Sequence, residues 1–344
     1  MPTIVGGLDI HRKQLTFDYL DLVTGEVKCG HVAPADREHF RSWLARFENP
    51  AEVAFAAEAC TGWRYVTEEL QRAGMQAHLA EPADTAAARG RKRRAKTDRA
   101  DARLMRDLLI QGRLPECWIP PSHILECRAL LELYHDLRTE HTAWVQRVHA
   151  VLFHQGAPAF HDLSRIDAPA ELSALAGEHV SPAGQLQLGA CLRMLDVLEA
   201  ELAAARRRLL AAARHLRGAR VLADSIYGVG PFTGLALTCW LGGAGRFSSA
   251  RKAVRFTGLD ITVHSSDGKR PPGHLSRQGP PALRWALYEA GKTHARAVAP
   301  DHGYYAAVKD RKDGKRAALS EARKIVRRAC HILAELGDDA LAIV

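Results

Sequence analysis

The chain has 344 residues, of which 47% are hydrophobic and 25% are charged, so it is too long for one ordinary core and predicts two or three folded units. Its formal net charge of +9 favours a polyanionic partner. Seven scattered cysteines without a CxxC pair argue against a disulfide framework or a zinc site. With no signal-peptide layout and no membrane-length apolar run, we predict a cytoplasmic protein with no membrane partner.

The first third of the chain has the pattern of an α/β domain. Apolar and alternating runs separated by turn residues predict five strands, at residues 3–10, 14–22, 27–33, 52–59 and 76–81. Helical spacing of apolar residues predicts one helix at 37–47, capped by Asp36, and another after Gly62. The order β-β-β-α-β-α-β-α is that of an RNase H-like domain, in which the fourth strand lies beside the first.

Four acidic residues lie where such a domain would bring them together. Asp9 is on the first strand, Glu58 ends the fourth, and Asp98 and Asp101 share one face of a helix predicted from Asp98 to about Ile110. Carboxylates that share a site repel each other, so they are stable together mainly when a cation neutralises them, usually oxygen-ligated Mg²⁺. Two such ions about 3.5–4 Å apart can activate an attacking oxygen and stabilise a leaving one. The acids therefore predict two Mg²⁺ sites, which Mn²⁺ could also fill, and phosphodiester chemistry.

The most basic segment of the chain immediately precedes that helix. Six of the eight residues from 89 to 96 are cationic, namely Arg89, Arg91, Lys92, Arg93, Arg94 and Lys96. A charge run is usually a solvated loop, but its position beside two proposed metal ligands favours a clamp for phosphate backbone. Binding through such contacts weakens steeply with salt.

The middle of the chain predicts two long helices, at about 122–154 and 183–216, separated by a segment rich in Pro and Gly. Such a pair is typical of an antiparallel arm or a dimerising coiled coil. A third part begins near residue 218 and is mainly helical. We therefore predict a domain at 1–112, a helical connector at 113–217 and a further domain at 218–344.

Two features of the third part point to nucleic acid. Gly228 and Gly230, before an apolar helix, fit the hairpin of a helix-hairpin-helix, where glycines and a helix N-terminus approach phosphate. An ordinary turn between helices fits equally well. The loop HSSDGK at 264–269 carries two serines beside cations, and an electropositive setting can activate a serine nucleophile. Paired serines before Asp-Gly are most often plain turn residues. The residues concerned are Ser265, Ser266, Lys269, Arg270 and Arg277.

Taken together, these segments resemble one family. The resemblance is carried by GLDIHR (7–12), EACTG (58–62), KTDRADARL (96–104), GVGPFTGLAL (228–237), RFSSARKAVRFTGL (246–259), HSSDGK (264–269) and GHLSRQGPPALRWALY (273–288). Over essentially its whole length, the chain resembles the DEDD transposases of the IS110 insertion-sequence group, which also includes the Piv-type DNA invertases.

The resemblance implies an N-terminal RuvC-like domain of the RNase H type, a helical connector and a C-terminal transposase domain. It implies that Asp9, Glu58, Asp98 and Asp101 bind Mg²⁺. It also implies that a serine attacks DNA and forms a covalent phosphoserine intermediate. Counting forward from Phe256 gives Ser266, which we favour, whereas counting back from Gly279 gives Ser265.

The resemblance further implies three partners. These are donor and target DNA, a structured non-coding RNA of the element that pairs with both DNAs, and further copies of the chain in a dimer or tetramer. The protein would then read RNA shape and DNA backbone, while base pairing supplies sequence. In the assembly, the acids of one subunit would meet the serine of another.

Three other functions fit part of the pattern. A RuvC-type junction endonuclease would use the same acids with a metal-bound water and form no adduct. A sugar-kinase-like or actin-like ATPase also begins with a β-meander and an early Asp, but GLDIHRKQL lacks the small-residue phosphate loop of that class. A non-catalytic nucleic-acid scaffold would explain the charge but not four convergent acids.

Overall fold

The structure is a computed structural model that describes residues 2–88, 97–160, 163, 168–262 and 273–344, with side chains from residue 170 in the fourth range. It is a mixed α/β protein with one five-stranded sheet and predominantly helical structure. The chain divides into two compact units, Met1–Ile119 and Pro120–Val344. The division into three parts expected from the sequence stays a prediction. No helix in the described ranges is long and apolar enough to cross a bilayer.

The first unit is built on the sheet. Its strands are β1 (Ile4–Ile10), β2 (Leu15–Asp21), β3 (Val27–Val32), β4 (Val53–Glu58) and β5 (Gln76–Ala80), in the order β3-β2-β1-β4-β5. The first three strands form an antiparallel meander, and β4 and β5 add to β1 in parallel. The five strands predicted from the sequence are therefore confirmed, and so is the position of the fourth strand beside the first.

Helices cover both faces of the sheet. They are α1 (Arg37–Leu44), α2 (Trp63–Arg72), α3 (Pro82–Ala88) and α4 (Asp98–Ile110). On β4, Phe55 packs in the same core as α1 and α2, whereas its neighbour Ala56 packs with Met105 and Leu108 of α4. Because successive strand residues point to opposite faces, α4 lies on the other side of the sheet from α1 and α2.

A buried carboxylate joins α1 to α2. Glu69 has a fully buried side chain and accepts hydrogen bonds from Arg37 at 2.6 Å, Arg41 at 2.5 Å and Arg72 at 3.1 Å. Hydrogen bonding to Arg41, against the opposing effect of burial, lowers the pKa of Glu69 to about 2. A buried carboxylate is stable when it is paired and fully hydrogen-bonded.

In the described residues of the second unit, the regular structure is helical, with isolated bridges in addition. Its helices are α5 (Ser122–His154), α6 (Ala168–His179), α7 (Pro182–His215), α8 (Arg217–Ser225), α9 (Pro231–Leu241), α10 (Ala250–Phe256), α11 (Pro281–Lys292), α12 (His302–Arg311) and α13 (Gly314–Leu336). The central helix, α9, is buried throughout 233–241 and contacts α5, α7, α8, α11 and α13.

The two long helices α5 and α7 pack side by side. His141 lies 3.3 Å from Glu199, while at the other end Gln155 accepts a hydrogen bond from the Ser181 amide at 3.3 Å. Residues later in α5 therefore meet residues earlier in α7, so the pair is antiparallel. The two long helices predicted from the sequence are confirmed, and they pack against each other within a single chain.

We predict that Glu69→Gln lowers the free energy of unfolding by about 3 kcal/mol, because three arginines lose their buried anion. The lowered pKa of Glu69 means that its stabilising effect is complete above its unfolded value near 4.5 and is lost as pH falls towards 2. The difference between wild type and variant in urea unfolding should narrow below pH 4.5. Glu48→Gln, at an exposed loop position, is the control. A difference that is constant from pH 7 to 3 would contradict this account.

Candidate functional site

The site begins at the end of β1. Asp9 is the penultimate residue of that strand and pairs with Thr16 on β2. On the other side, Leu8 is in register with Ala57 of the parallel strand β4, which ends at Glu58. The register therefore brings Asp9 and Glu58 to neighbouring positions at the same edge of the sheet.

The other two acids are carried by the first turn of α4. The Thr97 hydroxyl caps this helix by accepting from the Ala100 amide at 3.2 Å. Asp98 and Asp101 follow in the first turn, where the helix dipole favours negative charge. The helix predicted from Asp98 to Ile110 is confirmed at both ends.

Two features fix α4 against the sheet. A Cβ atom added at Gly7 on β1 would overlap the Ala102 carbonyl oxygen and lie 2.6 Å from the Arg106 amide nitrogen, so only glycine permits this approach. Behind it, the fully buried Asp18 of β2 accepts a short hydrogen bond from the Arg106 guanidinium. Burial raises the pKa of Asp18, and Arg106 opposes that effect.

His11 joins the strand to the helix. Its Nε2 lies 3.1 Å from Asp9 Oδ2 and 3.3 Å from Asp98 Oδ1. Gln14 donates to the other oxygen of Asp98 at 3.5 Å. The potential ligand atoms of Asp9, His11 and Asp98 all lie within 4.8 Å of one another. The Asp9 side chain is only 18% exposed and that of Asp98 is 47% exposed, so the cluster opens towards solvent on the helix side.

The charges of Asp98 and Asp101 act on Asp9, and those of Glu58 and Asp9 act on Cys60. Burial raises the pKa of Asp9, His11 lowers it, and Asp101 and Asp98 raise it further. Burial also raises the pKa of Cys60, and both Glu58 and Asp9 add to that shift. All four carboxylates thus influence one small region, although Glu58 and Asp101 lie outside the compact group formed by Asp9, His11 and Asp98.

The donor set fits a hard divalent cation. Carboxylate oxygens from two elements converge in the compact group, and such oxygens are the preferred ligands of Mg²⁺ and Mn²⁺. His11 adds an imidazole nitrogen, which Mn²⁺ accepts more readily than Mg²⁺ does.

Sequence reasoning assigned no role to His11, although it stands two positions after Asp9. Residues two apart share a face of an extended chain. The spacing of Asp9 and His11 could therefore have indicated that the two side chains lie together.

A second acid and histidine group lies in the helical unit but differs in kind. His294, Asp301 and Glu321 also bring their ligand atoms within 4.8 Å of one another. There the Lys324 ammonium lies 3.2 Å from Glu321 and 3.8 Å from Asp301. The Arg328 guanidinium also pairs with Asp301 at 2.9 Å, so two cations of the chain already balance these two carboxylates.

The glycines of the GVG segment form a turn between α8 and α9. Gly228 has φ +82°, and a Cβ there would overlap the Thr293 hydroxyl and lie 2.9 Å from the Ala290 carbonyl oxygen. Gly230 is the exposed N-cap of α9, and no side chain caps it. Packing and backbone conformation explain Gly228, and phosphate contact at either glycine stays a prediction.

The segment that carries the paired serines is flanked by a short hairpin base. Ile261 bridges Leu275, and the Thr262 amide donates to the His274 carbonyl at 2.8 Å. Beyond it, the exposed Arg277 has φ +54°, a left-handed conformation that is uncommon for a residue other than glycine. Other predicted site residues lie outside the described residues: Arg89, Arg91, Lys92, Arg93, Arg94, Lys96, Ser265, Ser266, Lys269 and Arg270.

Comparison with known proteins agrees with these features. A family model for the DEDD transposase domain of IS110-type elements, described as "Transposase", matches residues 6–154, which include all four acids. A second, described as "Transposase IS116/IS110/IS902 family", matches 221–306. A Sinorhizobium fredii protein named "Putative transposase y4rJ" is 27% identical over 364 aligned positions, covering 96% of this chain and 89% of the relative.

The acidic sheet edge and these matches define a DNA-cutting and DNA-rejoining enzyme that uses a divalent metal. The chain belongs to the IS110 family of insertion-sequence transposases.

We predict that Gly7→Ala displaces α4 and lowers the free energy of unfolding by about 1–3 kcal/mol, the usual effect of overpacking. Because Asp98 and Asp101 move with the helix, Mn²⁺ binding measured by electron paramagnetic resonance should weaken as well. Gly177→Ala in α6, where an added Cβ meets nothing within 4 Å, is the control and should not destabilise the protein. Unchanged stability and Mn²⁺ binding in Gly7→Ala would contradict the close approach of α4 to β1.

Proposed function

We propose that this transposase cuts and rejoins DNA with a metal site formed by Asp9, Glu58, Asp98 and Asp101 and with a serine nucleophile. The observation that carries the proposal is the convergence of Asp9 from β1 and Asp98 from α4 on a single imidazole. This convergence occurs in a unit matched by a DEDD transposase model. The strand order and the helix on the far face support an RNase H-like fold for this unit.

The metal proposed for this site is Mg²⁺, in two positions, with Mn²⁺ as a substitute. A divalent ion bound there would polarise the scissile phosphate and stabilise the developing charge. The chain's own contribution is to hold carboxylates at fixed positions on a rigid strand and a capped helix. His11 orients Asp9 and Asp98 towards each other through its Nε2 atom.

The serine step is a transesterification. The Ser266 oxygen forms a bond to phosphorus, the bond between phosphorus and the 3′-oxygen breaks, and the proton lost by serine ends on the 3′-hydroxyl. The phosphodiester energy is conserved in the phosphoserine, so the reverse attack by a 3′-hydroxyl of another strand rejoins DNA without an external energy source. Ser265 is the alternative nucleophile.

Recognition is proposed to combine several partners. Donor and target DNA would be held by backbone contacts from residues 89–96, from the turn at Gly228 and Gly230, and from Lys269, Arg270 and Arg277. A structured RNA of the element would supply sequence recognition by base pairing. The antiparallel pair of α5 and α7 would serve a dimer or tetramer.

We predict that Asp98→Asn reduces DNA cleavage in Mg²⁺ by about 10³-fold, because metal stabilisation of a phosphoryl transition state amounts to several kcal/mol. Mn²⁺ binding should fall in parallel, whereas DNA binding measured by fluorescence anisotropy should be retained. Asp84→Asn, the same change at an exposed position of α3, should alter none of the three. An Asp98→Asn protein that cleaves normally would remove this residue from the site.

We predict a covalent protein–DNA adduct that is lost in Ser266→Ala and kept in Ser265→Ala. Protein, Mg²⁺, RNA transcribed from the element's flank and labelled junction DNA are mixed, denatured and separated on a gel. If the adduct is lost in Ser265→Ala and kept in Ser266→Ala, Ser265 is the nucleophile. Cleavage without an adduct would favour a metal-dependent junction endonuclease in which water attacks.

A further inference from the structure

The helical unit contains a strongly basic cleft. It has a volume of about 710 Å³ and lies among α10, α13 and the hairpin base. One carboxylate, that of Asp260, faces five cationic side chains. The cations are Arg251, Lys252, Arg255, Arg323 and Arg327, and the other lining residues are Ser249, Val254 and Ile261.

These cations differ from their neighbours in having no ion-pair partner. Within the described part of the chain, no carboxylate oxygen lies within 4.0 Å of any of the five. On the same helix α13, by contrast, Arg316, Lys324 and Arg328 each pair with an aspartate or glutamate. The described lining residues therefore carry a large excess of positive charge, five cations against one carboxylate.

One of the five cations is partly withdrawn from water. The Arg323 Nε donates to the Leu259 carbonyl oxygen at 2.7 Å, which fixes the guanidinium at the wall of the cleft. Burial lowers the pKa of Arg323 and Arg327 lowers it further, whereas Tyr304 and Asp260 oppose that shift. A charged group that has lost hydration and is repelled by a neighbour is stabilised when an anion occupies the space beside it.

The single carboxylate, that of Asp260, offsets only part of this charge, since it faces five cations. Asp260 accepts a short hydrogen bond from the Ser276 hydroxyl, and the Ser276 amide donates to the Asp260 carbonyl at 3.0 Å. These contacts hold Asp260 in the hairpin base. The chain enters and leaves the segment 263–272 from this base, so the cleft lies next to the attachment points of that segment.

The composition of the cleft identifies its ligand. Five cations exceed what one phosphodiester needs, and they match a strand that carries one charge per nucleotide. None of the described lining residues is aromatic, so these residues offer no aromatic ring on which a base could stack. Their charge favours contact with the phosphate backbone.

We propose that this α10–α13 cleft binds the sugar-phosphate backbone of a nucleic-acid strand and guides it to the serine segment. The binding rests on the charges described above. Only the statement that the cleft guides the strand to a reacting serine rests on the proposed function.

The test measures the salt dependence of binding by full-length protein. The probes are a 40-base-pair random-sequence DNA duplex and a 40-nucleotide RNA hairpin, each followed by fluorescence anisotropy. In a variant combining Arg251→Glu and Arg327→Glu, we expect at least tenfold weaker binding in low salt. The slope of log affinity against log salt should fall by about 2, since each neutralised phosphate contributes about 0.9.

Matched variants keep the result interpretable. Arg193→Glu with Arg207→Glu makes the same charge change at exposed positions of α7 and should leave the slope unchanged. A variant combining Arg251→Ala and Arg327→Ala introduces no negative charge and should also lower the salt slope by about 2. It serves as the test if the variant with two glutamates does not fold. Thermal melting identifies folded variants.

The two probes distinguish whether the cleft binds DNA or RNA. Loss confined to DNA assigns the cleft to donor or target DNA, and loss confined to RNA assigns it to the guide. Unchanged binding of both probes, or equal loss in the α7 control, overturns the proposal. Adduct formation is scored in the same preparations. Wild-type protein that binds through the cleft but forms no adduct would retain the cleft and reject the serine mechanism.

Discussion

The packing of α4 on the first strand of the sheet is the contact on which the acidic site depends. Gly7 removes the side chain that would separate helix from strand, and the buried pair of Asp18 with Arg106 fixes the position of the helix. The strand carries Asp9 and the helix carries Asp98 and Asp101, so the distance between the acids is set by backbone packing rather than by flexible side chains. A site held in this way is rigid before any ligand arrives.

The same packing brings like charges together at a cost. Burial and the two helix acids all raise the pKa of Asp9, and His11 opposes them. The Glu69 carboxylate shows the opposite arrangement, in which three arginines surround one buried acid. Both carboxylates lie in the same unit, but the first group leaves its charge for a ligand to neutralise, whereas the second neutralises its charge internally.

Much of the fold could be predicted because it follows strong local patterns. The five strands, α4 and the two long helices have clear periodicity and end at turn or cap residues such as Thr97. Helices α6 and α12 are among those that were not predicted. Helix α6 lies in a segment interrupted by Pro and Gly, and α12 lacks a clear apolar face, since only Tyr305 and Val308 are buried. His11 and the cations of the α10–α13 cleft gain their meaning only from residues distant in sequence, which no local pattern reveals.

At position 277, the left-handed backbone conformation favours glycine, whereas the residue present is a positively charged arginine. An L-residue in this region costs roughly 1–2 kcal/mol, whereas glycine adopts the conformation freely. Selection for thermal stability alone would therefore favour glycine at this position and remove an exposed cation from the segment that follows the hairpin base. Because Arg277 is one of the residues proposed to contact phosphate, selection for thermal stability and selection for that proposed contact would favour different residues at 277.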